Sequence, residues 1–400
     1  MTRWLGFISI VSVVALCFIS ATLPTPLYPI YEQAWSLVPS QISYIFSAYM
    51  VPLLAALLCF GRVSDTIGRY PVVLMALFCL IVGLILSAVA QGAALLIFAR
   101  VVIGFGNGLV TTTAVLALAE AHPKNDKRLA SIVASMAISL GFGFGPIVAG
   151  SIAQSGYYPL RSPYGVVAFL ALLSTVLVVL SRQQLSGPAG SRPPLSIRPQ
   201  MALPAYGRRL RFLLACMGGF ATFTVGSLMA ALVPSVMAPL LPWKGPLILG
   251  AAFVPMALAC ALIQLRRREV EPYRGLFYGF ACFAAAVSSL VIGIKVDNGI
   301  PLLFALVFTG LGQGYAFMSS SVLATFNSDE HRRAANMSTF FMFCYTGAAG
   351  TVISIGWLAD NIGLLPAVVI GSVLMLILMA LLGVQAYRYA QEAVPSSSYV

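Results

Sequence analysis

Arg100 is the only strongly charged residue that the sequence places deep inside an apolar run. An unpaired guanidinium is costly there, so a functional role is the first hypothesis. Arg100, Gly104, Asn107 and Thr111 recur at helical spacing and share one face of a helix. We expect that face to meet water or substrate, and its positive charge favours neutral or anionic amphiphilic ligands. The alternatives are that Arg100 extends to the membrane surface or bonds backbone carbonyl groups.

The acidic residues offer few partners for such a charge. All eleven Asp and Glu residues lie outside the middle of the apolar runs, and Glu32, at the outer end of the first run, is the nearest candidate for coupling. The seven cysteines lie inside apolar runs and form no Cys-x-x-Cys pair, which makes a metal or redox role improbable. No nucleophile–base pair stands within the runs, so we expect neither an enzyme nor a bound cofactor.

The composition identifies the environment of these residues. Of 400 residues, 60% are apolar and 8% are charged, against about 25% charged in a typical soluble domain. That apolar content corresponds to about twelve spans of about 20 residues each. A soluble enzyme, a nucleic-acid-binding protein and a secreted disulfide scaffold are therefore excluded, and an all-α membrane protein is predicted.

The apolar runs give twelve predicted transmembrane helices. They lie at 5–30, 41–60, 71–91, 93–119, 129–153, 164–181, 211–239, 246–265, 276–295, 300–322, 334–357 and 365–387. With a cytoplasmic N-terminus, the cytoplasmic segments hold nineteen Lys and Arg residues and the outer segments hold three. This asymmetry places both termini in the cytoplasm. It also explains the net charge of +12 without nucleic acid as a partner.

A proline-rich, arginine-rich stretch divides the chain into two sets of six spans. The predicted organisation is a bundle at 1–181, a cytoplasmic linker at 182–210, a second bundle at 211–388 and a tail at 389–400. Residues 96–108 align with 302–314, with three glycines at matching positions. Such parallel repeats predict a pseudo-two-fold axis along the membrane normal and a binding site between the halves.

The loop after the second span carries a glycine- and charge-rich motif. Gly61 and Gly68 permit tight turns, and Asp65 and Arg69 can form and break an ion pair. In the expected loop, this motif resembles the signature of the major facilitator superfamily. The sequence departs from the family pattern at Val63, Thr66 and Tyr70. The resemblance implies that Asp65 and Arg69 latch the cytoplasmic side of the two halves.

Two further motifs extend the resemblance. Glu120 and Arg128 flank a connector similar to the acid-x-x-Pro…Arg connector of the superfamily, which implies a cytoplasmic charge network, although a solvated loop would also account for it. The fifth span has glycines four residues apart and a proline, typical of a close-packed, kinked helix. It is similar to the antiporter motif of the drug:proton antiporter branch, with Ala149 as a departure, and its residues are Gly141, Gly145, Pro146 and Gly150. This similarity implies export driven by proton entry, and in the family the arginine at the position of Arg100 is associated with proton coupling.

The resemblance also implies which spans line the cavity. By analogy with the fold, spans 1, 4, 7 and 10 do so, and their candidate residues outside the Arg100 face are Tyr28, Thr222, Gln313 and Tyr315. Asn107 and Gln313 are related by the repeat, so we expect them to face one another across the cavity.

The resulting hypothesis is a monomeric, multi-pass secondary transporter of the inner plasma membrane, in contact with lipid. It exports a small neutral or anionic amphiphile by alternating access, driven by the proton gradient. The alternatives are a facilitator or importer of sugars or organic anions on the same fold and, more remotely, a receptor that does not transport.

Overall fold

The computed structural model describes residues 2–60, 63–122, 127–185, 201–266, 270–329 and 332–392. Every regular element in these ranges is a helix. Twelve helical stretches of the described residues are long and apolar enough to cross a membrane, and they run from Trp4–Trp35 to Leu364–Glu392. The predicted number of spans is therefore confirmed, and the protein is a multi-pass membrane protein.

The chain forms two compact units. Unit 1 contains residues 1–200 and 243–254, and unit 2 contains 201–242 and 255–400. The short segment 243–254 departs from a simple division at the central linker, because its helix packs closely against the fifth span of unit 1.

Unit 1 contains the first six spans. Its helices are α1 (Thr2–Thr22), a 3-10 helix (Thr25–Leu27), α2 (Tyr28–Trp35), α3 (Pro39–Ser47), α4 (Met50–Phe60), α5 (Val63–Ile67), α6 (Arg69–Val89), α7 (Ala93–Ala121), α8 (Lys127–Gln154), α9 (Ser162–Leu180), α10 (Arg182–Leu185) and, later in the chain, α13 (Pro246–Ala251).

Unit 2 contains the remaining spans, except for the first part of the eighth, which belongs to unit 1. Its helices are α11 (Tyr206–Ala231), α12 (Val233–Leu240), α14 (Val254–Arg266), α15 (Pro272–Lys295), α16 (Ile300–Phe326), α17 (Arg333–Ile362) and α18 (Leu364–Glu392).

Prolines divide several spans into shorter helices. Pro24, Pro26 and Pro29 follow the end of α1, and the chain passes through a 3-10 turn before α2 begins. A proline has no N–H to donate to the carbonyl group four residues earlier. Each break therefore leaves carbonyl groups that need a donor from elsewhere, since water is absent from the hydrocarbon region.

Candidate functional site

Arg100 of α7 is completely buried in unit 1. Its guanidinium donates three hydrogen bonds to backbone carbonyl oxygens: Nη1 to Ser20 at 3.3 Å, Nη2 to Ala21 at 3.0 Å and Nε to Ile45 at 3.4 Å. The guanidinium carbon also lies 4.8 Å from the ring centre of Tyr49. Of the environments expected for Arg100, the structure shows the one in which its side chain bonds to backbone carbonyl groups.

The three carbonyl groups lack a donor within their own helices, because α1 and α3 end beside Arg100. Ser20 and Ala21 lie in the last turn of α1, and Ile45 lies in the last turn of α3. The last four carbonyl groups of a helix have no donor within the helix. The carbonyl group of Ser20 would accept from the residue four positions later, but that residue is Pro24, which has no N–H. A cation at this negative end of the helix dipole stabilises each helix end by up to about 2 kcal/mol in a partly buried geometry.

The predicted face of α7 contacts protein along most of its length. A Cβ atom on Gly104 would overlap the carbonyl oxygen of Tyr49, and Asn107 is fully buried, with Nδ2 donating to the carbonyl of Cys17 at 2.8 Å. Thr111, which is half-buried, bonds within its own helix, to the carbonyl of Asn107. The four residues do share one face, but the expectation that it meets water is wrong for Arg100 and Asn107 in this conformation. Carbonyl partners offset the cost of burying the Arg100 guanidinium and Nδ2 of Asn107, whereas Oδ1 of Asn107 has no hydrogen-bond partner within the described residues.

The outer part of the first span holds Tyr28 and Glu32. Tyr28 is fully buried, and its hydroxyl has no hydrogen-bond partner within the described part of the chain. One turn later, the Tyr31 hydroxyl donates to that of Tyr164 at 3.0 Å. Glu32 is half-buried on α2. Sequence reasoning identified Tyr28 but missed Tyr31 and Tyr164, because their contact joins the first and sixth spans.

The antiporter-like helix α8 is packed through its glycines against two different neighbours. A Cβ atom on Gly141 would lie 2.7 Å from Cβ of Phe18, and one on Gly145 would lie 2.6 Å from the carbonyl oxygen of Ile19, both on α1. A Cβ atom on Gly150 would instead overlap the backbone of Pro246, at the start of α13. The backbone of α8 therefore lies in direct contact with two helices, which only residues without a side chain permit.

A second proline break is compensated in the same manner as the first. Pro146, inside α8, has no N–H for the carbonyl group of Phe142. The hydroxyl of Thr22 donates to that carbonyl at 3.1 Å. In unit 1, side chains from neighbouring helices thus supply the donors that prolines remove.

Arg69, a residue of the predicted latch, has two side-chain partners within unit 1. Arg69 donates from Nη1 to Oγ of Ser64 at 2.6 Å, and its Nη2 lies 3.3 Å from Oε1 of Glu120. Gly68, which precedes α6, has φ 96°, a conformation that favours glycine. Arg69 thus joins the start of α6 to the end of α7. Gly61 and the side chains of Asp65 and Arg128 lie outside the described residues.

The candidates of unit 2 do not all lie together. Gln313 of α16 is half-buried and lies against α11, where a Cβ atom on Gly226 would overlap its amide. The ring of Tyr315 contacts Tyr278 of α15 at 5.7 Å instead. Thr222 is buried and bonds to the carbonyl of Gly218 on its own helix at 2.8 Å.

Aromatic residues accompany Gln313 on its side of α16. The rings of Phe223 and Phe317 are 5.8 Å apart, and those of Phe223 and Tyr345 are 5.1 Å apart. All three are half-buried. We name Phe223, Gln313, Phe317 and Tyr345 the aromatic surface. Phe317 follows Gln313 by four residues, so helical spacing could have found it, whereas Phe223 and Tyr345 come from other spans.

Comparisons with known proteins agree with this architecture. The chain is 26% identical over 152 residues to riboflavin transporter RibZ of Clostridioides difficile, a match that covers 37% of this chain and 33% of RibZ. It is 23% identical over 167 residues to quinolone resistance protein NorA of Staphylococcus aureus, covering 41% and 42% respectively. The chain thus spans less than half the length of these curated relatives.

The fold is similar to that of a solved transporter, a bacterial homologue of the human lysosomal transporter Spinster. The two share 13% identity with a TM-score of 0.75, over 99% of each chain. The sequence model of the Major Facilitator Superfamily matches residues 10–351. Because this match extends over most of the sequence and agrees with the apolar spans and the repeated glycine pattern, the chain belongs to the Major Facilitator Superfamily. The fold of this family is that of transporters rather than enzymes.

Proposed function

We propose that this protein exports a neutral or anionic amphiphile with a planar aromatic part, driven by proton entry across the inner plasma membrane. The aromatic surface of unit 2 is the observation that carries this proposal. It combines half-buried rings with one amide and no charged side chain. Flat aromatic molecules stack favourably on such rings, and an amide can fix their orientation by hydrogen bonding.

The distribution of charge supports the choice of ligand. Along the whole sequence, no acidic residue falls at mid-membrane, so a lipophilic cation has no evident counter-charge there. The names of relatives support export of a drug-like compound, since NorA is a quinolone resistance protein. The similarity to RibZ, a riboflavin transporter, is compatible with a flat, uncharged compound as substrate.

Arg100 enters this proposal as a positioning residue. It has no exposed surface and acts through the ends of α1 and α3. Transport by alternating access requires helices that change shape at defined points, and the break between α1 and α2 is such a point. Glu32, on α2 just beyond that break, is the proposed proton-coupling group, and Asp65 with Arg69 is the proposed cytoplasmic latch.

Transport into inside-out vesicles with an imposed pH gradient tests the function. Uptake of neutral and anionic aromatic dyes should depend on acid inside the vesicle and collapse with a protonophore. The same dyes moving without a gradient would instead support a facilitator. Saturable, gradient-driven uptake of cationic dyes alone would contradict the proposed substrate class.

Variants of the aromatic surface test the binding residues. Phe317→Leu should raise KM for aromatic dyes by about tenfold, since aromatic contacts contribute about 0.5–1.5 kcal/mol beyond area burial, and should leave kcat nearly unchanged. Phe304→Leu is the matched control, because Phe304 lies on the same helix with 57% of its surface exposed and outside the aromatic surface. Equal KM values in the two variants would show that substrate does not contact Phe317.

A further inference from the structure

A groove of about 720 Å³ lies between α15 and α18 of unit 2. Its base is formed by the buried side chains of Phe280 and Met379, and its open edge by exposed Val384 and Tyr387. Both helices are membrane spans, and the lining is almost wholly apolar. An apolar groove that faces the hydrocarbon region of the membrane must be filled by lipid tails or by another apolar chain.

Small residues create the groove. Ala281 and Ala284 of α15 and Ala380 and Gly383 of α18 line it. A Cβ atom on Gly383 would meet only Cβ of Phe280, at 4.0 Å, which is an ordinary van der Waals contact. The helices therefore leave space between their surfaces here, in contrast with the tight glycine contacts of α8.

The dimensions of the groove fit one acyl chain. Along α18 its lining extends from Leu376 to Gln391, about 22 Å at 1.5 Å per residue. The hydrocarbon core of a bilayer is about 30 Å thick, so one leaflet contributes about 15 Å. One lipid tail of a single leaflet can therefore lie along the groove, with length remaining for the start of the headgroup.

The charges at one end of the groove select the headgroup. Arg388 lines that end, and within the described residues no ion pair to its guanidinium is formed. The neighbouring helix ends add Arg274 at the start of α15 and Arg211, whose guanidinium carbon lies 5.9 Å from the ring of Tyr389.

The nearby acidic groups leave this end basic. Glu271 accepts hydrogen bonds from the backbone N–H groups of Tyr273 and Arg274 at 2.9 and 2.8 Å, so its carboxylate is already bound as the cap of α15. Glu392, one turn beyond Arg388, is exposed. Among the described residues at this end, the arginines therefore outnumber the acids, and this end complements an anionic group. By the distribution of basic residues it is the cytoplasmic end.

We propose that this groove binds an anionic phospholipid of the cytoplasmic leaflet, with one acyl chain between α15 and α18 and the phosphate at Arg388. Clusters of basic side chains between helices on the cytoplasmic side of a membrane are suited to such headgroups. The proposal concerns the membrane-facing surface of unit 2 and does not depend on the transported substrate.

Native mass spectrometry of the full chain, released from detergent with added lipid, tests this proposal. The probes are palmitoyl-oleoyl phosphatidylglycerol and its zwitterionic analogue phosphatidylcholine. Wild-type protein should retain the first phosphatidylglycerol about tenfold more strongly than phosphatidylcholine. Arg388→Gln should reduce this preference to about twofold or less, and Arg161→Gln, outside the groove, should preserve it.

Filling the groove supplies a second, independent variant. Ala380→Phe places a ring in the space for the acyl chain and should abolish retention of both lipids. Ile377→Phe is its control, because Ile377 lies on the same helix, is 54% exposed and does not line the groove. Undiminished phosphatidylglycerol retention in folded Ala380→Phe, or equal retention of the two lipids by wild-type protein, would overturn the proposal.

Discussion

Residues 96–108 of α7 and 302–314 of α16 share their glycine spacing but not their polar chemistry. The glycines have the same use in both units: a Cβ atom on Gly104 would overlap the carbonyl oxygen of Tyr49, and one on Gly310 would overlap that of Met256. The position of Arg100, however, is occupied in unit 2 by Leu306, which is also fully buried. Close helix packing is thus repeated, whereas the buried cation lies only in unit 1 as far as the described residues extend.

The breaks in the first span of each unit explain this difference. In unit 1, α1 ends at Thr22 and a 3-10 turn precedes α2. In unit 2, α11 and α12 are separated only by Leu232, which keeps a helical conformation and donates its N–H to the carbonyl of Leu228. The wider break leaves more carbonyl groups without donors, and Arg100 supplies them. In unit 2, helical hydrogen bonding continues between α11 and α12. In unit 1, the junction between α1 and α2 depends instead on the side chain of Arg100.

Replacing Arg100 with the residue of unit 2 tests this comparison most strongly. Arg100→Leu leaves three buried carbonyl groups without donors, and each costs about 1–3 kcal/mol. We expect the free energy of unfolding in detergent to fall by about 3 kcal/mol or more, and transport to be lost. Arg100→Lys should be intermediate, because its ammonium retains the charge but cannot reach all three carbonyl groups. A wild-type unfolding profile for Arg100→Leu would show that the carbonyl contacts contribute nothing to stability.

Gly145 and Gly350 occupy corresponding positions in the two halves of the sequence but differ in how closely they are packed. Gly145→Ala would force a Cβ atom to within 2.6 Å of the Ile19 carbonyl oxygen, whereas Gly350, aligned with it, has no atom within 4 Å of its added Cβ position. We expect Gly145→Ala to destabilise unit 1 by about 1–3 kcal/mol and Gly350→Ala to have little effect or to stabilise slightly. Thermal unfolding of the two variants measures this, and equal shifts would contradict the assigned contacts.

A double-mutant cycle tests the donor role of Thr22. Thr22→Val removes the hydroxyl that bonds to the Phe142 carbonyl, and we expect a loss of about 1 kcal/mol. In a Pro146→Ala background the helix supplies its own donor, so the same change should cost nearly nothing. Thr175→Val is the control, because that hydroxyl bonds only within its own helix. Additive effects of the first two changes would disprove the coupling.

The smallest effects are expected at two ion pairs near helix ends. Glu120 pairs with Arg69 in unit 1, and Asp329 pairs with Arg208 in unit 2, both at 3.3 Å. Glu120→Gln should lower stability by about 0.2–1 kcal/mol, since its side chain is 49% exposed and screened by solvent. Asp329→Asn should cost somewhat more, because Asp329 is 29% exposed and its Oδ1 also accepts from the N–H of Ala205 at 3.5 Å. High salt should diminish the difference; a larger effect at Glu120 would reverse this order.

The sequence predicted the class of fold well because span length and hydropathy are local properties. Twelve apolar runs could be counted directly, and twelve helical stretches of the described residues match them in number. It also identified Arg100 as the exceptional residue, since a charged residue within an apolar run is visible in the sequence and costly unless it finds partners. For Arg100 the expected contact with water was wrong in this conformation, because the carbonyl groups that bind its guanidinium come from the ends of two other helices.

The aromatic surface was missed for the same reason. Gln313 was identified from the repeat, but the neighbouring rings of Phe223 and Tyr345 come from α11 and α17. Nothing in the local sequence of an apolar helix distinguishes a ring on this surface from one that faces lipid. Tyr315 was predicted to line the cavity with Gln313, and its ring contacts Tyr278 of α15.

The amino-acid sequence by itself determined that this chain is a membrane protein with twelve predicted spans, and where prolines interrupt them. It could do so because the lack of water in a bilayer forces every span to bond its own backbone. Only the tertiary structure decided how the interrupted bonds are replaced: by Arg100 for α1 and α3, and by Thr22 for α8. Those partners lie far apart in the chain, and only the packing of the helices brings each donor to the carbonyl group that lacks one.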